Sequence, residues 1–194
     1  MNEDVWRELV QAGLSPQSPE DDAWLRAILP LIAVSRTSNL GVIRRTVEQF
    51  APDQQPESVL TYMRWIPRLN AYADGLLVWS LENDGYLLRQ DIREIILRTL
   101  RTDSNFPSFN AFLAELRRGY ARDTPARADR HATEMLYHML RSGEQLIAEQ
   151  VVATITTLVP DDAIPEFLTR LRDDPELSRE ALIQELISAL ENRG

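Results

Sequence analysis

The chain has 194 residues and a net charge of −9, it lacks cysteine, and all 21 of its basic residues are arginine. The missing cysteine excludes disulfides, thiolate metal sites and cysteine nucleophiles. The missing lysine excludes a P-loop lysine, Schiff-base catalysis and lysine general bases. Because nucleic acids and anionic membranes attract basic surfaces, the acidic balance disfavours both and permits a basic protein partner.

Two explanations stay open for the missing lysine. The first is GC-rich coding with drift, which replaces lysine by arginine without functional consequence, and we favour it. The second is avoidance of lysine modification, such as conjugation of a ubiquitin-like tag.

Nothing in the sequence points to a membrane or to export. No apolar run approaches the ~18 residues of a membrane-spanning helix. The N-terminal residues MNEDVWRELV are acidic and amphipathic, unlike a secretory signal. We therefore expect a cytoplasmic protein without a membrane partner.

Helix start and stop signals predict an all-α fold, a globular bundle of about ten to eleven helices without a convincing strand. Ser18 and Pro19, followed by acidic residues, are a strong helix start, and Pro30 is expected to kink or shorten that helix. The predicted helices of the first seventy residues begin near Asp4, Pro19, Asn39 and Pro56.

Residues 70–100 are the predicted core of the fold. They are interpreted as two helices joined by Asn83-Asp84-Gly85, with Gly85 ending the first. The first is apolar on nearly every side, which is typical of a buried helix. Asp74-Gly75 is a point at which that first helix could break.

The residues between Thr102 and Pro107 form the best candidate boundary. We predict a single helical domain over residues 1–194, with a division into 1–102 and 107–194 as the alternative, because the connector is short. Beyond it, helices are predicted to begin near Pro107 and Pro125, after the Ser142-Gly143 turn and near Ile164. Asp174-Pro175 or Ser178 is predicted to cap a last, cleanly amphipathic helix.

The only two histidines suggest a metal site. His131, Glu134 and His138 fall within an arc of about 60° on one predicted helix, so two imidazoles and a carboxylate could face one metal ion. The arc lies beside the apolar stripe and close to Arg127 and Arg141, whose charge opposes a cation. The alternative is a pair of histidines on the helix surface, partnered by Glu134 and solvent.

Ser80–Asp91 resembles the frame of a twelve-residue calcium loop. Gly85 falls at the sixth position, and helices are predicted on both sides. Ser80 replaces the usual first aspartate, and Asp91 replaces the bidentate glutamate at the last position. We favour the simpler interpretation, a glycine-terminated helix followed by a capped helix.

No phosphate loop or nucleophile elbow appears, so no enzyme activity and no cofactor are predicted. The leading hypothesis is a non-enzymatic protein–protein interaction module: an adaptor, an assembly subunit or an inhibitor of a basic partner. The alternative is a helical metalloprotein that uses His131, Glu134 and His138.

Overall fold

The computed structural model describes residues 1–192 and confirms the mostly helical fold, with 68% helix, ten α-helices and one small three-stranded sheet. The chain divides into two compact units, Met1–Ser104 and Asn105–Gly194. We call them unit 1 and unit 2. Whether they are independent folding domains stays a prediction.

Unit 1 is built from five α-helices and the sheet. The predicted helix start at Ser18 is present, since its hydroxyl accepts a hydrogen bond from the Asp21 amide at 3.1 Å. Pro30 lies inside the second helix and does not shorten it. In chain order the elements are α1 (Glu3–Gln11), α2 (Pro19–Val34), β1 (Thr37–Ser38), α3 (Leu40–Phe50), α4 (Val59–Asn70), β2 (Leu77–Ser80), β3 (Gly85–Leu88) and α5 (Gln90–Leu100).

The prediction of two helices across residues 70–100 is wrong in its first half. Helix α4 ends at Asn70, and Gly75 adopts a left-handed φ of 59° before β2 begins. Strands β2 and β3 then form an antiparallel hairpin in which Leu77 pairs with Leu88. Of the apolar residues here, Leu76 and Leu77 are buried, whereas Val78 and Trp79 are exposed. The second predicted helix is present as α5.

Gly85 has a different role from the predicted helix terminator. Strand β3 is the middle strand of the sheet and also pairs antiparallel with β1. A Cβ at Gly85 would lie 3.3 Å from the Ser38 carbonyl oxygen, which is tighter than an ordinary contact. Glycine therefore allows the two main chains to approach closely at the β1–β3 pair.

An aromatic cluster lies in the core of unit 1. Trp24 meets Trp65 edge to face at a centroid distance of 5.2 Å, and Tyr62 lies 4.8 Å from Trp65. The Arg68 guanidinium stacks 4.0 Å above Trp24. These rings join α2 to α4, and all three are buried.

Asp21 anchors the edge of this cluster, and we expect it to make stability pH-dependent. The Tyr72 hydroxyl and Arg68 donate hydrogen bonds to its carboxylate, which lowers the pKa of Asp21 below its ordinary value. A lowered pKa contributes stability above the ordinary value that is lost as the pH falls through the folded-state value. Urea unfolding of Asp21→Asn from neutral to acid pH should show a smaller loss of stability on acidification than wild type. Asp53→Asn, an exposed acid, is the matched control.

Unit 2 contains five α-helices within its described residues. Its apolar core gathers side chains from every one of them, and Phe167 and Leu186 are completely buried there. In chain order the helices are α6 (Phe106–Asp123), α7 (Ala128–Met139), α8 (Ala148–Leu158), α9 (Ile164–Asp173) and α10 (Ala181–Glu191). None of the helices in residues 1–192 is both long and apolar enough to cross a bilayer.

Several arginines use more than one guanidinium nitrogen. Arg26 donates from Nε to Asp22 at 2.7 Å and from its two terminal nitrogens to Glu3, and it stacks 4.4 Å above Trp6. In unit 2, Arg141 donates a hydrogen bond to the Tyr137 main-chain carbonyl, and its guanidinium stacks 3.7 Å above the Tyr137 ring. Lysine carries one compact ammonium and reproduces neither the fork nor the stacking.

Arg26→Lys should therefore reduce the free energy of unfolding by about 1 kcal/mol, because one ammonium cannot serve both carboxylates and the Trp6 ring. Arg7→Lys is the control, since exposed Arg7 has one ion pair, with Asp4 at 3.2 Å. Its substitution should leave stability within about 0.5 kcal/mol of wild type. Equal urea midpoints for the two variants would contradict this role for Arg26.

Candidate functional site

The three residues predicted as metal ligands lie together on α7, and all of them are buried. His131, Glu134 and His138 expose 9%, 5% and 0% of their surfaces. The alternative of solvent-facing histidines is therefore wrong. Helix α7 lies inside unit 2 and packs on α6 and α9, so its polar residues are enclosed as well as its apolar stripe.

Their partners come from α6. The His131 Nδ1 atom lies 3.4 Å from Nη1 of Arg117, and the Glu134 carboxylate lies 3.9 Å from Nη2 of the same arginine. His138 Nδ1 donates to the Asn110 side-chain oxygen at 2.9 Å. We call these five residues the α6–α7 polar seam.

The seam already contains a buried cation, the Arg117 guanidinium, beside two of the three predicted ligands. A metal ion there would meet a like charge at short distance. Within residues 1–192, no group of three or more histidine, aspartate or glutamate side chains is arranged to hold a metal ion. Metal binding by His131, Glu134 and His138 stays a prediction, which elemental analysis of protein purified without chelator would test.

Asn110 and Arg117 are the members of the seam that sequence reasoning missed. Four large apolar residues of α6, Phe109, Phe112, Leu113 and Leu116, suggest an apolar face, but Leu113 is the one fully buried member of that set. The observed buried face repeats at helical spacing with polar residues in it: Phe106, Asn110, Leu113, Ala114, Arg117 and Ala121. A search for apolar periodicity passes over that face, because two of its positions are polar.

The chemistry available to the seam is that of a buried hydrogen-bond and ion-pair network. Its side chains are enclosed, so a solute has no access to them in this conformation. Paired polar groups in a core are most useful when they fix one register between two helices.

The calcium-loop interpretation of Ser80–Asp91 requires a helix on each side of the loop, and the helix before it is not present. The residues before the turn form β2, and the Ser80 hydroxyl accepts a hydrogen bond from the Asn83 amide at 3.2 Å. Calcium loops of this class lie between two helices. Here the same residues form a hairpin turn, and Asp84 adopts the left-handed φ of 49° within it.

A shallow open groove of 340 Å³ lies between α6 and α8. Arg118 on its wall pairs with Glu115 at 3.0 Å. The hydroxyls of Thr154 and Thr157 donate to carbonyls of their own helix. The polar groups of this groove are therefore engaged locally, and they do not converge on a ligand position.

Exposed hydrophobic side chains are concentrated in one stretch of unit 1. Six of the nine large exposed hydrophobics in residues 1–192 fall between residues 59 and 81. Leu60 and Leu81 are the most exposed, at 70% and 83%. We call the set the α4–hairpin surface, and its members are Val59, Leu60 and Met63 on α4 with Val78, Trp79 and Leu81 on β2 and its turn.

The charge on the two halves of this surface differs. Helix α4 carries Arg64 and Arg68 and no acid. Residues 71–88, which include the hairpin, carry Asp74, Glu82 and Asp84 and no base. The hairpin half is thus an apolar centre with acidic residues before and after β2.

No family model, curated protein or solved structure matches the chain.

Proposed function

We propose that the chain is a non-enzymatic protein–protein interaction module that binds its partner through the α4–hairpin surface. The observation that supports this most is the concentration of exposed hydrophobic side chains between residues 59 and 81. Val59, Leu60 and Met63 lie within five residues of α4, and Val78, Trp79 and Leu81 lie within four residues of the hairpin, so each half presents several exposed apolar side chains close together. An adaptor, an assembly subunit and an inhibitor would each present such a surface.

The acidic surface supports a basic partner. Residues 71–88, which form the hairpin half of the proposed surface, carry Asp74, Glu82 and Asp84 and no base, and the whole chain has a net charge of −9. A surface potential of one sign raises the association rate of partners of the opposite sign. We place this interaction in the cytoplasm, consistent with the absence of cysteine.

The test compares partner capture by variants that change the surface and not the core. Immobilised wild type should retain a partner from an extract of the native cells. Leu60→Glu/Met63→Glu on α4 and Leu81→Glu on the hairpin should each reduce that capture by about tenfold, because a charge is placed in an apolar contact. Ile147→Glu is the matched control, since Ile147 is 46% exposed and lies in unit 2. Equal capture by all four proteins would contradict the proposal.

A further inference from the structure

Strand β2 is an edge of the sheet, because the strand order is β1-β3-β2. One side chain already occupies part of that edge. The Leu77 amide donates to the Asn70 side-chain oxygen at 2.7 Å, and the Asn70 amide nitrogen donates to the Leu77 carbonyl at 3.1 Å. The Asn70 carboxamide therefore stands where a peptide unit of a neighbouring strand would stand.

The Asn70 contact also fixes the direction of the remaining main-chain groups. In an antiparallel pair, residues alternate between bonding the partner strand and pointing away from it. The main-chain N–H and C=O of Leu77 point away from β3. Those of Trp79, two residues later, therefore also point outward. Within residues 1–192, no side chain or loop hydrogen-bonds Trp79 at this outer edge.

The side chains around this edge are apolar and exposed. Val78 is 54% exposed, Trp79 is 44% exposed and Leu81 is 83% exposed. Trp79 packs edge to face on Tyr86 of β3 at 4.9 Å, which holds its ring on one face of the sheet. The outer edge of β2 thus offers an added strand one main-chain N–H and C=O, beside exposed apolar side chains.

The charge of the hairpin decides between two occupants. Asp74 precedes β2, and Glu82 and Asp84 follow it, with no base in residues 71–88. A second copy of this chain would bring the same three acids to the contact, so like charges would oppose the pairing. A segment that alternates apolar and basic residues would complement both the apolar centre and the acidic ends.

We infer that the outer edge of β2 binds an extended, basic segment of a partner protein as an additional strand. The segment's main chain pairs with the N–H and C=O of Trp79, and its apolar side chains pack beside Trp79 and Leu81. Asn70 occupies the edge at Leu77 and β2 ends at Ser80, so the added strand pairs with β2 at Trp79 alone. This inference rests on the proposed function and specifies how the hairpin half of the α4–hairpin surface recognises its partner.

The experiment uses the full chain and three fluorescein-labelled heptapeptides, with binding measured by fluorescence anisotropy. The first alternates valine and arginine, the second is the same peptide N-methylated at every peptide bond, and the third alternates valine and glutamate. We expect the first to bind. The second should bind about tenfold more weakly because it lacks main-chain donors, and the third should do so because of its charge.

Trp79→Pro provides the protein-side test. Proline is tolerated at an edge position whose N–H faces solvent, but it removes that donor. The first peptide should bind this variant about tenfold more weakly, whereas Trp79→Thr, which keeps the N–H, should lose less affinity. If Trp79→Pro alters the hairpin, the N-methylated peptide still tests the main-chain hydrogen bonds, because that experiment uses the unchanged protein.

Equal binding of the plain and N-methylated peptides would overturn the inference, and so would equal binding of the valine–arginine and valine–glutamate peptides. Concentration-dependent dimerisation that Trp79→Pro abolishes would identify a second copy as the occupant and would also overturn it. A further result would separate the two proposals: Leu60→Glu/Met63→Glu no longer captures the natural partner, and N-methylation does not change peptide binding. That result would support the proposed function and contradict the added strand.

Discussion

Glu134→Leu should destabilise unit 2 by about 3–5 kcal/mol, the range found when one partner of a buried ion pair is removed. The Glu134 and Arg117 side chains are 7% and 4% exposed, and Oε2 of Glu134 lies 3.9 Å from Nη2 of Arg117. Leucine would leave the Arg117 guanidinium buried beside an apolar side chain. Urea unfolding followed by far-UV circular dichroism measures the loss.

The double variant Arg117→Met/Glu134→Leu distinguishes the cost of breaking the ion pair from the net contribution of the pair to the free energy of unfolding. Replacing both charges with apolar groups of similar volume is often neutral, since the desolvation of both ions is avoided. We expect the double variant to be more stable than either single variant, with a coupling energy above about 1 kcal/mol. Additive losses would mean that the two charges act independently and that the seam does not depend on their pairing.

Phe167→Ala should reduce the stability of unit 2 by about 3–5 kcal/mol, because Phe167 is 0% exposed and its removal leaves a cavity. The optical probes separate the two units. All four tryptophans, Trp6, Trp24, Trp65 and Trp79, lie in unit 1. Tryptophan fluorescence therefore reports on unit 1, whereas circular dichroism reports on the helices of both units.

If the units unfold independently, Phe167→Ala should shift part of the circular dichroism transition to lower urea and leave the fluorescence midpoint unchanged. Leu25→Ala, at a fully buried position of unit 1, is the converse variant and should lower the fluorescence midpoint. Coincident shifts of both probes in both variants would indicate one cooperative domain over residues 1–194.

The starts of α2 and α3 could be predicted because their signals are local, whereas α10 begins at Ala181 without the predicted cap. Ser18 and Asn39 each accept a hydrogen bond from an amide three residues later, at 3.1 and 2.9 Å. Such a cap depends on a few consecutive residues, so it can be recognised without knowledge of the remaining fold. The observed ten helices agree with the predicted ten to eleven, although one predicted helix is in fact the hairpin.

The hairpin could not be predicted in this way. The apolar residues 76–79 suit a buried helix and a strand equally, because a short apolar run has no distinctive period. The strand that completes the sheet, β1, is two residues long and carries no strand signal of its own. Its pairing with β3 is a long-range contact that local patterns do not encode.

The polar seam was predicted in part. Helical geometry correctly placed His131, Glu134 and His138 on one side of α7. Their partners Asn110 and Arg117 lie on a different helix, and the contact depends on how α6 packs against α7. Spacing along one helix identifies which side chains share a face, but it does not identify what that face meets.

The order of strands in the sheet has a consequence for synthesis of the chain. Strand β3 is last in sequence but central in space, and Leu87 pairs with Thr37, fifty residues earlier. A ribosome delivers the N-terminus first, so β1 has no partner until residues 85–88 have left the exit tunnel. Helices α1 to α4 need only local hydrogen bonds and can form as they emerge. The sheet of unit 1 therefore closes as a late event, when nearly the whole unit has been translated.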